Sequence, residues 1–143
     1  MERRDWIAVL ARAPGTALAQ VFRTLGEEPP SEWLRRPEFG SVMVRGRMGG
    51  VGAPFNLGEM TVTRATVRLS DGTVGHAYVP GRDAEKARIA AVCDALLQGP
   101  GAESVRERVL GPMQALLART RADRAAKAAA TRVEFFTMAR GED

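Results

Sequence analysis

The amino-acid sequence predicts an α+β fold: an antiparallel β-sheet of meander or hairpin type, with N-terminal helices and C-terminal helices packed on it. Three observations lead there. Apolar residues recur at helical spacing over residues 5–25 and again beyond residue 83. Between them, residues 59–70 are rich in Thr and Val, the composition of a strand. Asp71-Gly72, a dipeptide favoured in tight hairpins, then separates that stretch from residues 73–80.

Each element has its own signal. Trp6, Val9, Leu10 and Ala13 fall at i, i+3, i+4 and i+7, one face of a helix that Ala13-Pro14-Gly15 interrupts. Thr16 is placed to cap a second helix with the stripe Leu18, Val21, Phe22 and Leu25. Gly26 and Pro29-Pro30 end it. Ser31 to Arg36 suits either a strand or a helical turn, Pro37-Glu38-Phe39-Gly40 reads as a turn, and Val42 to Arg45 reads as a strand. A glycine-rich loop from Gly46 to Pro54 follows. Within 59–70, Met60 and Val62 share one parity while Ala65, Val67 and Leu69 share the other, so a bulge is expected near Thr63-Arg64. Asp71-Gly72 is expected to form a two-residue turn with positive φ at both positions, folding 73–80 back on 62–70.

Asp83 is placed to cap a helix buried along Ile89, Val92, Cys93 and Leu96 and stopped by Gln98-Gly99-Pro100-Gly101. Ser104-Val105-Arg106-Glu107 has the form of a capping box. Gly111-Pro112 should break or kink the helix it starts, and the Ala- and Arg-rich residues 113–130 should be helical. The organisation is one domain: helices about 5–25, sheet about 32–80, helices about 83–130, and an apolar tail over 132–140. Set as a strand, that tail would need cover on both faces.

Composition narrows the function classes. A chain of 143 residues that is 45% hydrophobic is long enough and apolar enough for a packed core. No apolar run reaches the ~18–20 residues of a membrane span, and Arg3-Arg4 is not followed by the apolar stretch of an export signal. The expected location is cytoplasmic. Cys93 is the only cysteine, so no internal disulfide forms. The net charge of +4 is spread: residues 1–56 carry 8 basic and 6 acidic side chains, 57–99 carry 5 and 5, and 100–143 carry 8 and 6. A nucleic-acid binder concentrates its basic charge, so no nucleic-acid partner is expected.

The search for catalytic chemistry returns little. His76 is the only histidine and falls mid-strand; with one cysteine besides, the chain lacks a zinc cluster and a nucleophile–histidine–acid triad. Cys93 lies on an apolar helix face and reads as core. No catalytic and no metal residue is singled out. The glycine loop is the most suggestive feature, because successive backbone N–H groups in such turns form anion-binding concavities. Arg47, Gly49, Gly50, Gly52 and Arg82 are the candidate phosphate contacts, with Arg45 beside them. No Lys-Ser/Thr follows Gly52, so this is not a P-loop, and the dinucleotide fingerprint is also absent. A long loop packed on another protein fits the spacing better. Phe55 and Asn56, together with Phe135, Phe136, Met138 and Arg140 of the tail, are the candidate interface residues. The tail either docks on the chain's own core or inserts into a partner.

These segments resemble the PhnG family. The similarity is carried by Arg47-Met48-Gly49-Gly50-Val51-Gly52, Phe55-Asn56-Leu57-Gly58-Glu59, Thr63-Arg64-Ala65 with Val67-Arg68-Leu69, and Asp71-Gly72 with Gly75. It continues through Gly81-Arg82-Asp83, Asp94-Ala95-Leu96 with Gln98, and Val133-Glu134-Phe135-Phe136-Thr137-Met138 with Arg140-Gly141. The helices at 1–25 and 102–130 match only in character.

The resemblance implies the G subunit of the bacterial carbon–phosphorus (C–P) lyase core complex, a hetero-oligomer with H, I and J subunits and a functional link to the L protein. The G, H, I and L proteins support transfer of a phosphonate onto ribose C1 of ATP with loss of adenine, giving a ribose 1-phosphonate 5-triphosphate. ATP and phosphonate are substrates of the complex, and the iron–sulfur cluster belongs to the J subunit. By the same resemblance this chain binds no cofactor alone, acts as a non-catalytic subunit and is inactive by itself. The competing reading is a stand-alone nucleotide- or phosphate-binding protein using the glycine-rich loop.

Overall fold

The computed structural model describes residues 1–47, 50 and 52–141, with side chains for all of these except Asn56 and residues 134–141. The elements run α1 (Arg3–Arg12), α2 (Gly15–Arg23), β1 (Ser31–Arg47), β2 (Pro54–Leu69), β3 (Val74–Pro80), α3 (Ala84–Leu97), α4 (Ala102–Val105), a π-helical turn (Arg106–Leu110) and α5 (Gly111–Gly141). The strands pair antiparallel in the order β1-β2-β3, a meander.

The helices take one face of the sheet. Ala65 and Val67 on β2, with Gly75, Ala77 and Val79 on β3, alternate with the exposed Arg64, Arg68, His76 and Tyr78. The buried set joins Trp6 and Leu10 of α1, Leu18 and Phe22 of α2, Ile89, Val92 and Leu97 of α3, and Val109 and Leu110 in one core. Helix α3 lies directly on β2 and β3, and is buried nearly all round. At Gly75 the strand passes so close to α3 that a Cβ would lie 1.9 Å from the Ala91 carbonyl oxygen and 2.8 Å from the Ala95 nitrogen. Only glycine allows that approach.

Several elements differ from expectation. The hairpin turns at Asp71-Gly72 as expected, but through three residues rather than two. The Gly72 N–H donates to the Leu69 carbonyl at 2.9 Å, the Leu69 N–H to the Thr73 carbonyl at 2.9 Å, and only Gly72 takes a positive φ, of 92°. This is a type I turn closed by a left-handed glycine. Asp71 serves by side chain instead, its carboxylate accepting from the Thr73 N–H at 2.9 Å. That bond holds the Asp71 carboxyl below its ordinary range.

Pro37-Glu38-Phe39-Gly40 is not a turn. Strand β1 runs through it, with register shifts at Trp33/Arg35 and Arg35/Glu38. As the sheet's edge strand, β1 tolerates a residue without an N–H, and the irregularity accommodates it. No bulge occurs at Thr63-Arg64, where β2 and β3 pair without interruption from Val62 to Arg68. Thr63 instead faces the start of α3: its hydroxyl donates to the Gly81 carbonyl at 2.6 Å and accepts from the Asp83 N–H at 3.1 Å.

Asp83 caps α3 as expected, accepting from the Lys86 N–H at 3.0 Å. Thr16 does not cap α2, whose N-cap is Pro14. The Ser104 capping box is unused, because α4 already starts at Ala102. Gly111-Pro112 does not break the helix. The preceding turn widens to π geometry, which makes room for a ring that would crowd the carbonyl four residues earlier. The tail is not a strand: α5 continues through it to Gly141.

Candidate functional site

Two places concentrate unusual geometry, one buried and one exposed. The buried one is Asp94. Its carboxylate is fully enclosed and accepts from Arg3 Nε at 3.1 Å, Arg3 Nη2 at 2.8 Å, Trp6 Nε1 at 2.8 Å and the His76 backbone N–H at 2.9 Å. It ties α1, β3 and α3 together through one charged acceptor. A buried charge is tolerable when paired and hydrogen-bonded in this way. The His76 ring points away, its Nδ1 lying 3.2 Å from the Thr66 hydroxyl on the exposed face. Cys93 is buried, and its thiol is pushed up to about 12 by that burial, the behaviour of core and not of a nucleophile.

The exposed place is an arm. Strand β3 stops at Pro80, opposite Val62, but β1 and β2 go on pairing from Ser41↔Thr61 to Arg47↔Pro54. The six steps from Ser41 to Arg47 span roughly 20 Å at ~3.3 Å per residue. No described residue from 34 to 61 is buried. Paired residues share a face, so Val42↔Met60, Val44↔Gly58 and Gly46↔Phe55 point to one side. Leu57 joins them: it sits at the Val44/Arg45 register shift, and a Cβ on Gly46 would meet its Cδ1 at 2.9 Å. One face is thus apolar along its length, with Leu57 61%, Met60 43% and Phe55 41% exposed. The opposite face carries Ser41, Glu59, Thr61, Arg45 and Arg47, with Met43 among them. A two-stranded ribbon is marginal by itself, and among the described residues its apolar face is left exposed.

The sequence-derived candidates scatter. Arg82 stacks over the Phe39 ring at 5.2 Å, beside the start of α3. Arg47 lies eight residues further along β1, roughly 26 Å at ~3.3 Å per residue, where its guanidinium donates to the Gly52 carbonyl at 3.4 Å. The structure does not bring Arg47 and Arg82 together, and Gly50 and Gly52 lie at the arm's tip. Gly49 lies outside the described residues. Phe55 and Asn56 fall on the arm, while Phe135, Phe136, Met138 and Arg140 fall on the last turns of α5, their side chains outside the described set. Missed from the sequence were Val42, Val44, Leu57 and Met60. Val42 and Val44 already alternated, but the turn assigned at Pro37 obscured the strand they continue.

The geometry defines a class: a small α+β protein whose helices cover one face of a meander and whose sheet carries an exposed amphipathic ribbon. The family described as phosphonate metabolism protein PhnG matches residues 1–141, and the chain belongs to that family. It is 46% identical over 142 residues to the alpha-D-ribose 1-methylphosphonate 5-triphosphate synthase subunit PhnG of Rhizobium meliloti (strain 1021), covering 99% of this chain and 91% of that protein.

Proposed function

We propose that this chain is a subunit of a ribose 1-methylphosphonate 5-triphosphate synthase in phosphonate breakdown, and that the β1–β2 arm docks it onto another subunit. The observation that carries the reading is the 46% identity, nearly end to end, to a protein named as that subunit. The arm supports the second half, since an exposed apolar strip on a marginal ribbon is stabilised by cover. The reaction moves a phosphonate onto ribose C1 of ATP with loss of adenine. The partners are the H, I and J subunits of C–P lyase, with a functional link to the L protein, in the cytoplasm.

This chain supplies surface and no cofactor; ATP and phosphonate are handled by the assembly, and the iron–sulfur cluster by the J subunit. Among the described residues no group of His, Cys, Asp and Glu is arranged to hold a metal, and no helix is long and apolar enough to cross a membrane. The Phe135, Phe136 and Met138 segment is a second contact. The test is co-expression with tagged H, I and J subunits, followed by assay of the purified assembly with the L protein, ATP and methylphosphonate. The chain is expected to co-purify, and omitting it should abolish product. Full product formation without it would refute the proposal.

A further inference from the structure

A second concave surface lies away from the arm, where α1, α2, β3, α3 and α5 meet. On α5, Leu117, Thr120, Arg121 and Arg124 recur at i, i+3, i+4 and i+7 and share one face. Opposite them are Arg12 at the end of α1 and Lys86 in the first turn of α3. Together with Pro14 and Pro80 they line an open cleft of ≈ 630 Å³. That is the size of a small-molecule site, for which ~300–1,000 Å³ is usual.

The charge in this cleft is one-sided. Its lining holds four cations and no carboxylate. Some basic side chains elsewhere find acids among the described residues, Arg3 with Asp94, Arg64 with Glu38, Arg68 with Glu32, and Arg88 with Glu28 and Glu85, while others, Arg4, Arg23 and Arg119 among them, do not; what sets the cleft apart is that four cations converge there. Among the described residues, Arg12, Lys86, Arg121 and Arg124 take part in no ion pair. Lys86 is only 8% exposed, and its ammonium donates to the Ala11 carbonyl at 2.6 Å. The carboxylate nearest to it electrostatically, Asp83, is engaged in capping α3. An ammonium held this far from water without a carboxylate partner favours an anion beside it.

We infer that this cleft binds the triphosphate chain of a small molecule, with Arg121, Arg124, Arg12 and Lys86 as its ligands. A phosphate chain offers several negative charges along a line, and guanidinium groups engage phosphate oxygens in pairs. The Thr120 hydroxyl donates to the Leu116 carbonyl at 3.0 Å and adds no charge. The inference rests on the reading that this chain serves a synthase of a ribose 5-triphosphate. It adds that the subunit itself holds the triphosphate end while the reacting end lies on a partner.

The test is titration calorimetry of the full chain with inorganic tripolyphosphate, ATP and orthophosphate at low salt. Tripolyphosphate and ATP are expected to bind, at least tenfold more tightly than orthophosphate, and to weaken as salt screens the charges. Equal affinities assign recognition to the phosphate chain; tighter binding of ATP adds the nucleoside. R121E/R124E, both on the exposed side of α5, should weaken tripolyphosphate at least tenfold, and R119E, outside the cleft, should not. R121Q/R124Q serves as the milder variant and should show an intermediate loss. Absent binding, or binding that R121E/R124E leaves intact, overturns the site. So does failure of R121E/R124E to co-purify with H, I and J subunits, since the arginines then meet an acidic protein surface. If the wild-type chain binds tripolyphosphate but joins no complex, the subunit reading falls and the site stands.

Discussion

Replacing Asp94 by Ala removes one carboxylate that four donor contacts share. Arg3, whose side chain is 43% exposed, returns to water, so its loss is small, ~0.5 kcal/mol once solvent screening is allowed for. The Trp6 indole N–H and the His76 backbone N–H have no such escape. Trp6 is buried, and the His76 N–H points from the edge strand into α3. Each donor left unsatisfied costs ~1–3 kcal/mol, so Asp94→Ala should destabilise by ~3–4 kcal/mol in all. For a chain of this size that lowers Tm by roughly 10 °C. Urea unfolding followed by tryptophan fluorescence reads the change directly, because Trp6 is one of the donors. Arg3→Ala instead leaves the enclosed Asp94 carboxylate without its cation and should itself cost ~3 kcal/mol or more. A loss below ~1 kcal/mol for Asp94→Ala would refute the view that the buried donors carry the junction.

Gly75→Ala drives a Cβ against the Ala91 carbonyl and should cost ~3 kcal/mol or more, whereas Gly99→Ala, with nothing within 4 Å, should stay within ~0.5 kcal/mol; similar urea midpoints for the two would contradict the close β3–α3 packing. The Cys93 thiol, raised from 9.0 to about 12 by burial, ionises first in the unfolded chain. Its contribution is complete below pH 9 and falls by ~1.4 kcal/mol per pH unit between pH 9 and 12. Lys86, lowered by burial, adds an opposite slope below its ordinary 10.5, but that slope is common to wild type and Cys93→Ala. Stability of the wild type should therefore fall more steeply above pH 9 than that of Cys93→Ala, and parallel curves would exclude the buried-thiol account.

Much of the frame is legible in the sequence because it rests on local chemistry. Helical periodicity locates α1 to α3, Asp83 caps α3 by its own carboxylate, and Asp71-Gly72 marks the hairpin. What failed depended on tertiary setting. Proline and glycine at 37–40 punctuate a chain in the same way whether it turns or bulges, and only the edge position of β1 decides between them. The parity slip in β2 comes from a strand apolar on both faces: Ala65 and Val67 meet the helices, while Val62 and Met60 lie on the other side. Asp94 gave no local signal, since a lone carboxylate among Val92, Cys93 and Ala95 is explained only by donors from other elements, 18 to 91 residues away. The arm was half visible through Phe55 and Asn56. Its apolar face appears only when the register pairs Val42 with Met60 and Gly46 with Phe55.

The most direct measurement of the central claim is co-purification of a Phe55→Asp/Leu57→Asp double variant with tagged H, I and J subunits. Both side chains are exposed on the apolar face of the arm, so the isolated variant should unfold within ~0.5 kcal/mol of wild type. In an interface they act as anchors, each costing ~2 kcal/mol or more when lost, so their joint replacement should weaken association a thousandfold or so. The variant should fold and no longer co-purify. Full recovery of the variant in the complex, with its own unfolding midpoint unchanged, would contradict docking through the arm.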